Sequence, residues 1–281
     1  MMYGMLYQGS KSRVAPWVVE NLPAAPVLVD LFAGGCAVTH AALLSGKWGR
    51  IVANDVSDAP SVFLAAVRGE LEGYVTVPTR EEFEASDDPV VRLLYSFGNN
   101  KTDYLWSREL EPVKREASLM VSAPSAWERR RHYRAFMRAL GELGRMPDTD
   151  RKHDGTLQGL ERLQGLEVSR LDYREVDVPD GATVYADPPY RGTNNHGHGG
   201  LFDFAAFDSW LASVPFMVVV SEFTCPNGCV EVARKERQQS MAANGKSPRV
   251  TEFLFVQGRF EDEWSMKVGA QLEMSENGEI W

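Results

Sequence analysis

One short apolar run limits what this chain can fold into more than any other feature. PVLVDLF, residues 26–32, is stopped by AGG. It reads as a buried strand followed by a sharp turn. CAVTHAALLSG then has the spacing of a helix, with Gly46 as its predicted stop. GRIVANDVS, residues 49–57, makes a second strand ending in Asn54 and Asp55, and APSVFLAAVRGE continues as a helix. Strand, glycine turn, helix, strand and acid in that order open a doubly wound α/β fold.

The pattern then changes. Residues 75 to 165 carry little strand signal and much helix, interrupted by SFGNNKTDYLWS and RMPDTDRKHDGT. They are expected to form an inserted helical subdomain, splitting one α/β domain into residues 1–74 and 166–281. The α/β pattern resumes with LEVSRLDYREV (166–176) and ATVYADPPY. FDFAAFDSWLASV follows as a helix, FMVVVSEF (216–223) as a buried strand and TEFLFVQG (251–258) as another strand. The tail, QLEMSENGEIW, is expected to be a loose end or a last edge strand.

Composition excludes several classes. No apolar run approaches the roughly 20 residues that span a bilayer, and MMYGMLYQGSKSR lacks the apolar core of a secretory signal. A soluble, cytoplasmic protein without membrane association is expected. Cys36, Cys225 and Cys229 are few and odd in number, which fits a reducing compartment, and no second Cys/His pair completes a zinc site. His196 and His198, in NNHGHGG, lack a carboxylate partner of familiar spacing; a flexible lid is expected there, and no metal. The net charge of −9 disfavours a broadly phosphate-binding surface. The charge is uneven, however: residues 127–152 hold eight Lys/Arg against four Asp/Glu. Lys101, Arg129, Arg130, Arg131 and Arg134 are candidate phosphate contacts, and a solvated helix face explains the same charges equally well. The G-x-x-x-x-G-K-[ST] phosphate loop and the G-x-S-x-G elbow are both absent.

Two stretches carry chemistry. In DLFAGGCAV, residues 30–38, glycines at a strand-to-helix turn let backbone approach a ligand, and the helix start favours negative charge. Asp55, at the end of the second strand, can accept hydrogen bonds from both hydroxyls of a ribose. Together they point to an adenosine-containing cofactor; a packing turn beside a surface acid is the plainer alternative. In TVYADPPYRG, residues 183–192, two prolines end the strand in a stiff turn because they offer no ladder donors. Asp187 and the Pro188 carbonyl present two acceptors, enough for both hydrogens of an exocyclic amine, and Tyr190 can stack on a planar base. A metal-binding acid beside a packed tyrosine is the other reading of those residues.

The pairing of DLFAGGCAV with DPPY resembles the amino-methyltransferases that use S-adenosylmethionine. The motif order, with a helical insert between, is similar to the Dam-type (D12-class) DNA adenine N6-methyltransferases. YQGSKSRV resembles that family's aromatic-x-Gly-Gly-Lys element, which implies Tyr7, Gly9 and Lys11 near cofactor and target. RLDYREV resembles its Asp-aromatic segment, which implies Asp172 on the cofactor's adenine amine and the Tyr173 backbone on the ring nitrogen. FDFAAFDSWL is similar to the helix after DPPY, and SFGNNKTDYLW to the insert of some phage-type members. The resemblance covers most of residues 7–58 and 166–223.

It implies a doubly wound, mostly parallel, Rossmann-like methyltransferase sheet. S-adenosyl-L-methionine would be held by Asp30, Phe32, Ala33, Gly34, Gly35, Cys36 and Asp55 as well, with Asp187 shared. Asp187, Pro188, Pro189 and Tyr190 would be the catalytic corner. The substrate implied is a flipped adenine in double-stranded DNA, read by a monomer or weak dimer, with a cognate restriction endonuclease as a candidate partner. Three departures stand out. Gly34-Gly35-Cys36 replaces the usual Gly-x-Gly, Ser10 replaces a glycine, and the GATC-reading hairpin has no match, so that specificity is not implied. Cytosine-N4 enzymes more often carry Ser-Pro-Pro-Tyr, so Asp187 favours adenine. A cytosine-N4 or RNA amino-methyltransferase, and a catalytically silent nucleic-acid-binding homologue, are the alternatives.

Overall fold

The structure, a computed structural model, describes residues 3–5, 7, 9–144, 166–192, 202–238 and 249–276. The expected lid with His196 and His198, the RMPDTDRKHDGT segment and the final NGEIW lie outside these residues. The chain divides into two compact units, one of Tyr3–Met5, Ser10–Ser61 and Gly159–Trp281, the other of Met1–Met2, Leu6–Gly9 and Val62–Gln158.

The first unit is built on a sheet. It opens with α1 (Ala15–Asn21), β1 (Val27–Asp30), α2 (Ala37–Ser45), β2 (Arg50–Asn54) and the start of α3 (Ala59–Val67). Helix α2 stops where predicted, at Gly46, which takes the left-handed conformation (φ 68°) that glycine adopts without penalty.

The second unit is helical among its described residues. Helix α4 (Arg80–Ala85) starts on a reciprocal cap between Thr79 and Glu82, and α5 (Pro89–Leu94) on the Asp88 side chain followed by a proline. The SFGNNKTDYLW segment becomes a tight loop closed by a bridge between Ser96 and Tyr104, with Asn99 and Lys101 at positive φ. Then α6 (Glu111–Ser122) turns back on α7 (Ala126–Leu143), pinned by His132 Nδ1 at 2.8 Å from Glu116.

The sheet resumes with β3 (Leu166–Ser169), β4 (Thr183–Ala186), α8 (Phe204–Ser213), β5 (Val218–Glu222), β6 (Cys229–Gln238), β7 (Arg249–Gln257) and α9 (Glu261–Glu276). The strand order is β3-β2-β1-β4-β5-β7-β6, with the pairs from β3 to β5 parallel and β7 antiparallel to both neighbours. This is the expected α/β, doubly wound and mostly parallel Rossmann-like sheet. The order reverses between β1 and β4, and ligands of such sheets bind at the carboxyl ends of the strands beside that switch point. Asp30, Asp55, Asp172 and Asp187 all follow or end those strands. The central strands are covered on both sides, so β5 is buried at every position, its apolar Val218, Val219 and Val220 followed by buried Ser221 and Glu222. Val29, Val184, Val218 and Val220 meet Phe207 and Leu211 of α8 in one core cluster.

Two parts depart from the sequence expectation. The outer strand is β6, whose CVEVARKERQ is too charged to read as a strand; charge on an edge is how a sheet discourages a further partner. Residues 271–276 of the tail form no edge strand, because they continue α9.

The first described residues lie across the glycine turn. Gly4 N–H donates to His40 Nδ1 at 3.0 Å and Met5 N–H to the Gly35 carbonyl at 2.7 Å. A Cβ on Gly4 would sit 2.3 Å from that carbonyl oxygen, and Gly4 has φ +66°. Gly4→Ala is therefore expected to destabilise the fold by roughly 1–3 kcal/mol, the usual scale of overpacking, in a denaturant titration.

Candidate active site

The glycine turn is shaped by β1 and β2 ending together. Ala33 N–H donates to the Asn54 carbonyl at 2.8 Å, and Gly34 N–H to Asp55 Oδ2 at 2.9 Å. Asp55 Oδ1 accepts from Ser57 N–H at 2.8 Å, so both its oxygens serve the local backbone. A carboxylate has about four lone-pair positions, which leaves acceptor capacity for ribose hydroxyls.

Cys36, at the departure from Gly-x-Gly, is left-handed at φ 60° and wholly buried. That conformation costs roughly 1–2 kcal/mol for a residue with a Cβ, which explains a glycine as the usual occupant. Its Sγ turns back to the Gly34 carbonyl oxygen at 3.8 Å.

Asn54 was read only as a strand end, yet it organises three loops. Its amide donates to the Leu31 and Leu171 carbonyls at 3.1 and 3.0 Å, and its oxygen accepts from Ser169 Oγ and Leu171 N–H at 2.8 and 3.0 Å. This fully used amide fixes the chain just before Asp172 and Tyr173. The Asp172 carboxylate is held by Arg174 at 2.7 and 2.8 Å, and hydrogen bonding from that guanidinium lowers its pKa. An adenine amine would have to share it. Tyr173 is buried beside Phe32, with ring centroids 5.3 Å apart, and meets Trp210 edge-on at 5.0 Å.

The double-proline corner follows β4. Asp187 Oδ1 lies 2.8 Å from Lys11 Nζ, with side chains 16 % and 7 % exposed. Burial pushes the Asp187 carboxyl up to about 6; Lys11 pulls against that shift and Glu252 adds to it. Among the described residues, none donates to the Pro188 carbonyl. Tyr190 is buried, its hydroxyl 2.8 Å from Ser221 Oγ and 2.9 Å from Glu252 Oε2. Phe223 meets its ring edge-on at 4.4 Å, and Lys11 Nζ lies over one face, 4.4 Å from the centroid. A base can stack only where Lys11 does not sit.

The structure thus brings Lys11, Asp30, Asp55, Asp187 and Tyr190 into one unit with the glycine turn, Asp172 and Tyr173. Tyr7 and Gly9 are grouped with the helical unit, as are Lys101 and the α7 arginines. Around α7, at about 3.6 residues per turn, Trp127, Arg130, Arg131, Arg134 and Arg138 share one exposed face, with Glu142 beside its C-terminal end. Arg129 falls outside that face. Sequence reading missed Ser221 and Glu252. The signal was present for Glu252, which is in period-two phase with Leu254 and Val256 of β7, all three wholly buried.

Charge tests whether a cationic cofactor suits these residues. Asp30 is 1 % exposed; its Oδ2 accepts from Thr39 Oγ1 at 2.7 Å and its Oδ1 has no hydrogen-bond partner among the described residues. Burial pushes it up to about 7, with Asp187 and Asp55 adding to the shift. Carboxylates outnumber the one ammonium, Lys11, and a buried acceptor goes unused. Such a site gains from a positively charged ligand, so the residues fit a sulfonium cofactor bearing an α-ammonium group. No group of three or more His, Cys, Asp or Glu that could hold a metal ion occurs among the described residues, and no helix there is long and apolar enough to cross a membrane.

The raised Asp30 has a consequence for stability. Folded, it titrates near 7 against 3.8 as an ordinary carboxylate, so the folded state binds the extra proton between these values. Its contribution is present in acid and is lost as pH rises through 7. Asp30→Asn should flatten that decline and be more stable than the parent at pH 8, by on the order of 1–4 kcal/mol, in urea titrations of cofactor-free protein.

The family model described as D12 class N6 adenine-specific DNA methyltransferase matches residues 7–137, which bears out the resemblance read from the motifs. The match takes in Lys11, the glycine turn, Asp55 and most of α7. Members of this class methylate adenine in DNA, with S-adenosylmethionine as the methyl donor. No curated protein matches the chain. Among solved structures, one from Pyrococcus horikoshii, provisionally described as an RNA methyltransferase, is 12% identical, covering 86% of this chain and 79% of that one at a TM-score of 0.35. Precorrin-6y C5,15-methyltransferase from Geobacter metallireducens GS-15 is 10% identical, covering 91% of each chain at a TM-score of 0.33. At such scores neither likeness bears on the substrate.

Proposed function

We propose, from the D12-class match of residues 7–137, that this chain is a site-specific DNA adenine N6-methyltransferase. Residues 1–74 and 166–281 would form the catalytic domain, and residues 75–165 would bind double-stranded DNA. The observation that carries the reading is the acceptor corner. Asp187 is held within 2.8 Å of Lys11, next to a Pro188 carbonyl that none of the described residues claims and a clamped Tyr190 ring.

An adenine amine is a weak nucleophile because its lone pair is delocalised into the ring. Asp187 and the Pro188 carbonyl would accept its two hydrogens and turn the lone pair out of conjugation. Pro189 keeps the corner stiff. Tyr190 would stack on the extruded base, offsetting part of the few kcal/mol that flipping costs by roughly 1–3 kcal/mol. Asp187 must be ionised to accept, so activity should rise with pH through about 6. Asp187 would then take the proton that the amine sheds after transfer.

S-adenosylmethionine, when bound, supplies an electrophilic methyl group. Asp55 would hold its ribose, Asp172 and the Tyr173 backbone its adenine, and Asp30 its cationic end. Gly34, Gly35 and Cys36 would lie along it, with Phe32, Ala33 and Lys11 around them.

The test is duplex DNA incubated with isotopically labelled S-adenosylmethionine, followed by nucleoside analysis. Labelled N6-methyladenine is expected, and Asp187→Asn should lower the rate by at least about 10²-fold with the circular dichroism spectrum unchanged. Labelled N4-methylcytosine, or label in RNA alone, would instead select those substrates; no label in any nucleic acid would leave a silent binding protein. Modified-base sequencing of DNA from expressing cells would give the site.

Contact with DNA phosphates is assigned to the α7 face. Arg131→Glu with Arg134→Glu should weaken duplex binding and reduce the slope of log K against log salt by ~1 per lost phosphate contact. Arg129→Glu should have the smaller effect. Equal losses from both changes would remove the face as the phosphate site.

A further inference from the structure

We propose that Glu252 is a positioning residue for the acceptor corner, tying down Tyr190 and balancing the charge that Lys11 places beside Asp187. The catalytic meaning of this rests on the reading of Asp187 as the amine acceptor; the tether itself does not.

Glu252 is wholly buried on β7, in a row it shares with Leu254 and Val256. A carboxylate in an apolar row is costly unless hydrogen-bonded. Glu252 Oε2 accepts from the Tyr190 hydroxyl at 2.9 Å, and Ser221 Oγ of β5 lies 2.8 Å from the same hydroxyl. Two neighbouring strands therefore hold one phenol. The Phe223 edge and the Lys11 ammonium, each 4.4 Å from the ring centroid, fix the ring's plane. Tyr190 follows a double proline, so this hold also sets the direction in which the corner faces.

The second effect is electrostatic. The groups around Asp187 include Lys11 from the N-terminal segment, Glu252 from β7, Tyr190 from the corner itself, Tyr185 from β4 and Asp30 from β1. Lys11 alone would make Asp187 a firm anion, good at accepting a hydrogen bond and poor at taking up a proton. Burial and the Glu252 charge oppose Lys11 and bring Asp187 to about 6. At that value it accepts the amine's hydrogen bond when ionised and can take the released proton afterwards. Glu252 reaches no reacting atom; it acts through Tyr190 and through its field.

Glu252→Gln tests this, since glutamine keeps the size and the acceptor but removes the charge. In aspartate-labelled protein the Asp187 carboxyl ¹³C signal, identified by its absence in Asp187→Asn, should titrate lower than in the parent by roughly 0.5–1 pH unit. Tyr190→Phe, which leaves the Glu252 charge in place, should not move it downward. In turnover, the acid limb of kcat should move down with the carboxyl titration, while KM for S-adenosylmethionine stays at the parental value. An Asp187 midpoint that is unmoved or raised in Glu252→Gln overturns the proposal. If that variant does not fold, Ser221→Ala serves instead. It releases one hold without touching charge, and should lower kcat at least about threefold with the midpoint unchanged; an unchanged kcat would equally overturn the proposal. A titration shift in Glu252→Gln, with a parental protein that methylates no nucleic acid, would sink the functional reading and leave the tether standing. Methylation without the shift would do the reverse.

Discussion

Carboxyl groups taken out of water must be matched by donors or cations, and this requirement governs the site. Asp30, Asp55, Asp187 and Glu252 are drawn to the strand ends and β7, with Lys11 as the one cation at the corner. Each is handled differently. Asp55 accepts from backbone N–H groups with capacity to spare, Asp187 pairs with Lys11 and Glu252 accepts from a phenol. Among the described residues, Asp30 has only Thr39 on one oxygen and no hydrogen-bond partner on the other. The surplus of negative charge accounts both for the raised carboxyls and for the fit to a cationic ligand.

The sheet topology makes this crowding inevitable. Parallel strands β1, β2, β3 and β4 deliver their carboxyl ends to one edge, and the reversal of strand order between β1 and β4 opens that edge. The chain then uses the antiparallel β5–β7 pair to bring polar side chains in from the other direction. Ser221 and Glu252 reach the corner because β5 and β7 run side by side.

The sequence disclosed this architecture unevenly, for physical reasons. Buried strands carry short apolar stretches, such as VLV in β1, VVV in β5 and FLFV in β7, so β1, β4, β5 and β7 were plain, and glycine marked the end of α2. Strand β6 was not legible because an edge strand is solvated and charged, as VARKERQ is. The motif residues were legible because glycines, prolines and acids at strand ends have few other uses. Ser221 and Glu252 were hidden inside runs that had already been read as core. Periodicity reports which face a residue occupies, and only the pairing of β5 with β7 reveals what that face meets. The arginines of α7 were visible as charge, but the separation of Arg129 from the rest needs the helix.

The Asn54 amide has a further consequence. It joins the loops after β1, β2 and β3 through four hydrogen bonds from a single wholly buried side chain. No one of these loops can detach without stranding polar atoms on the other two. The adenosine side of the pocket should accordingly open all at once or not at all, with its amides exchanging with solvent as a single cooperative group.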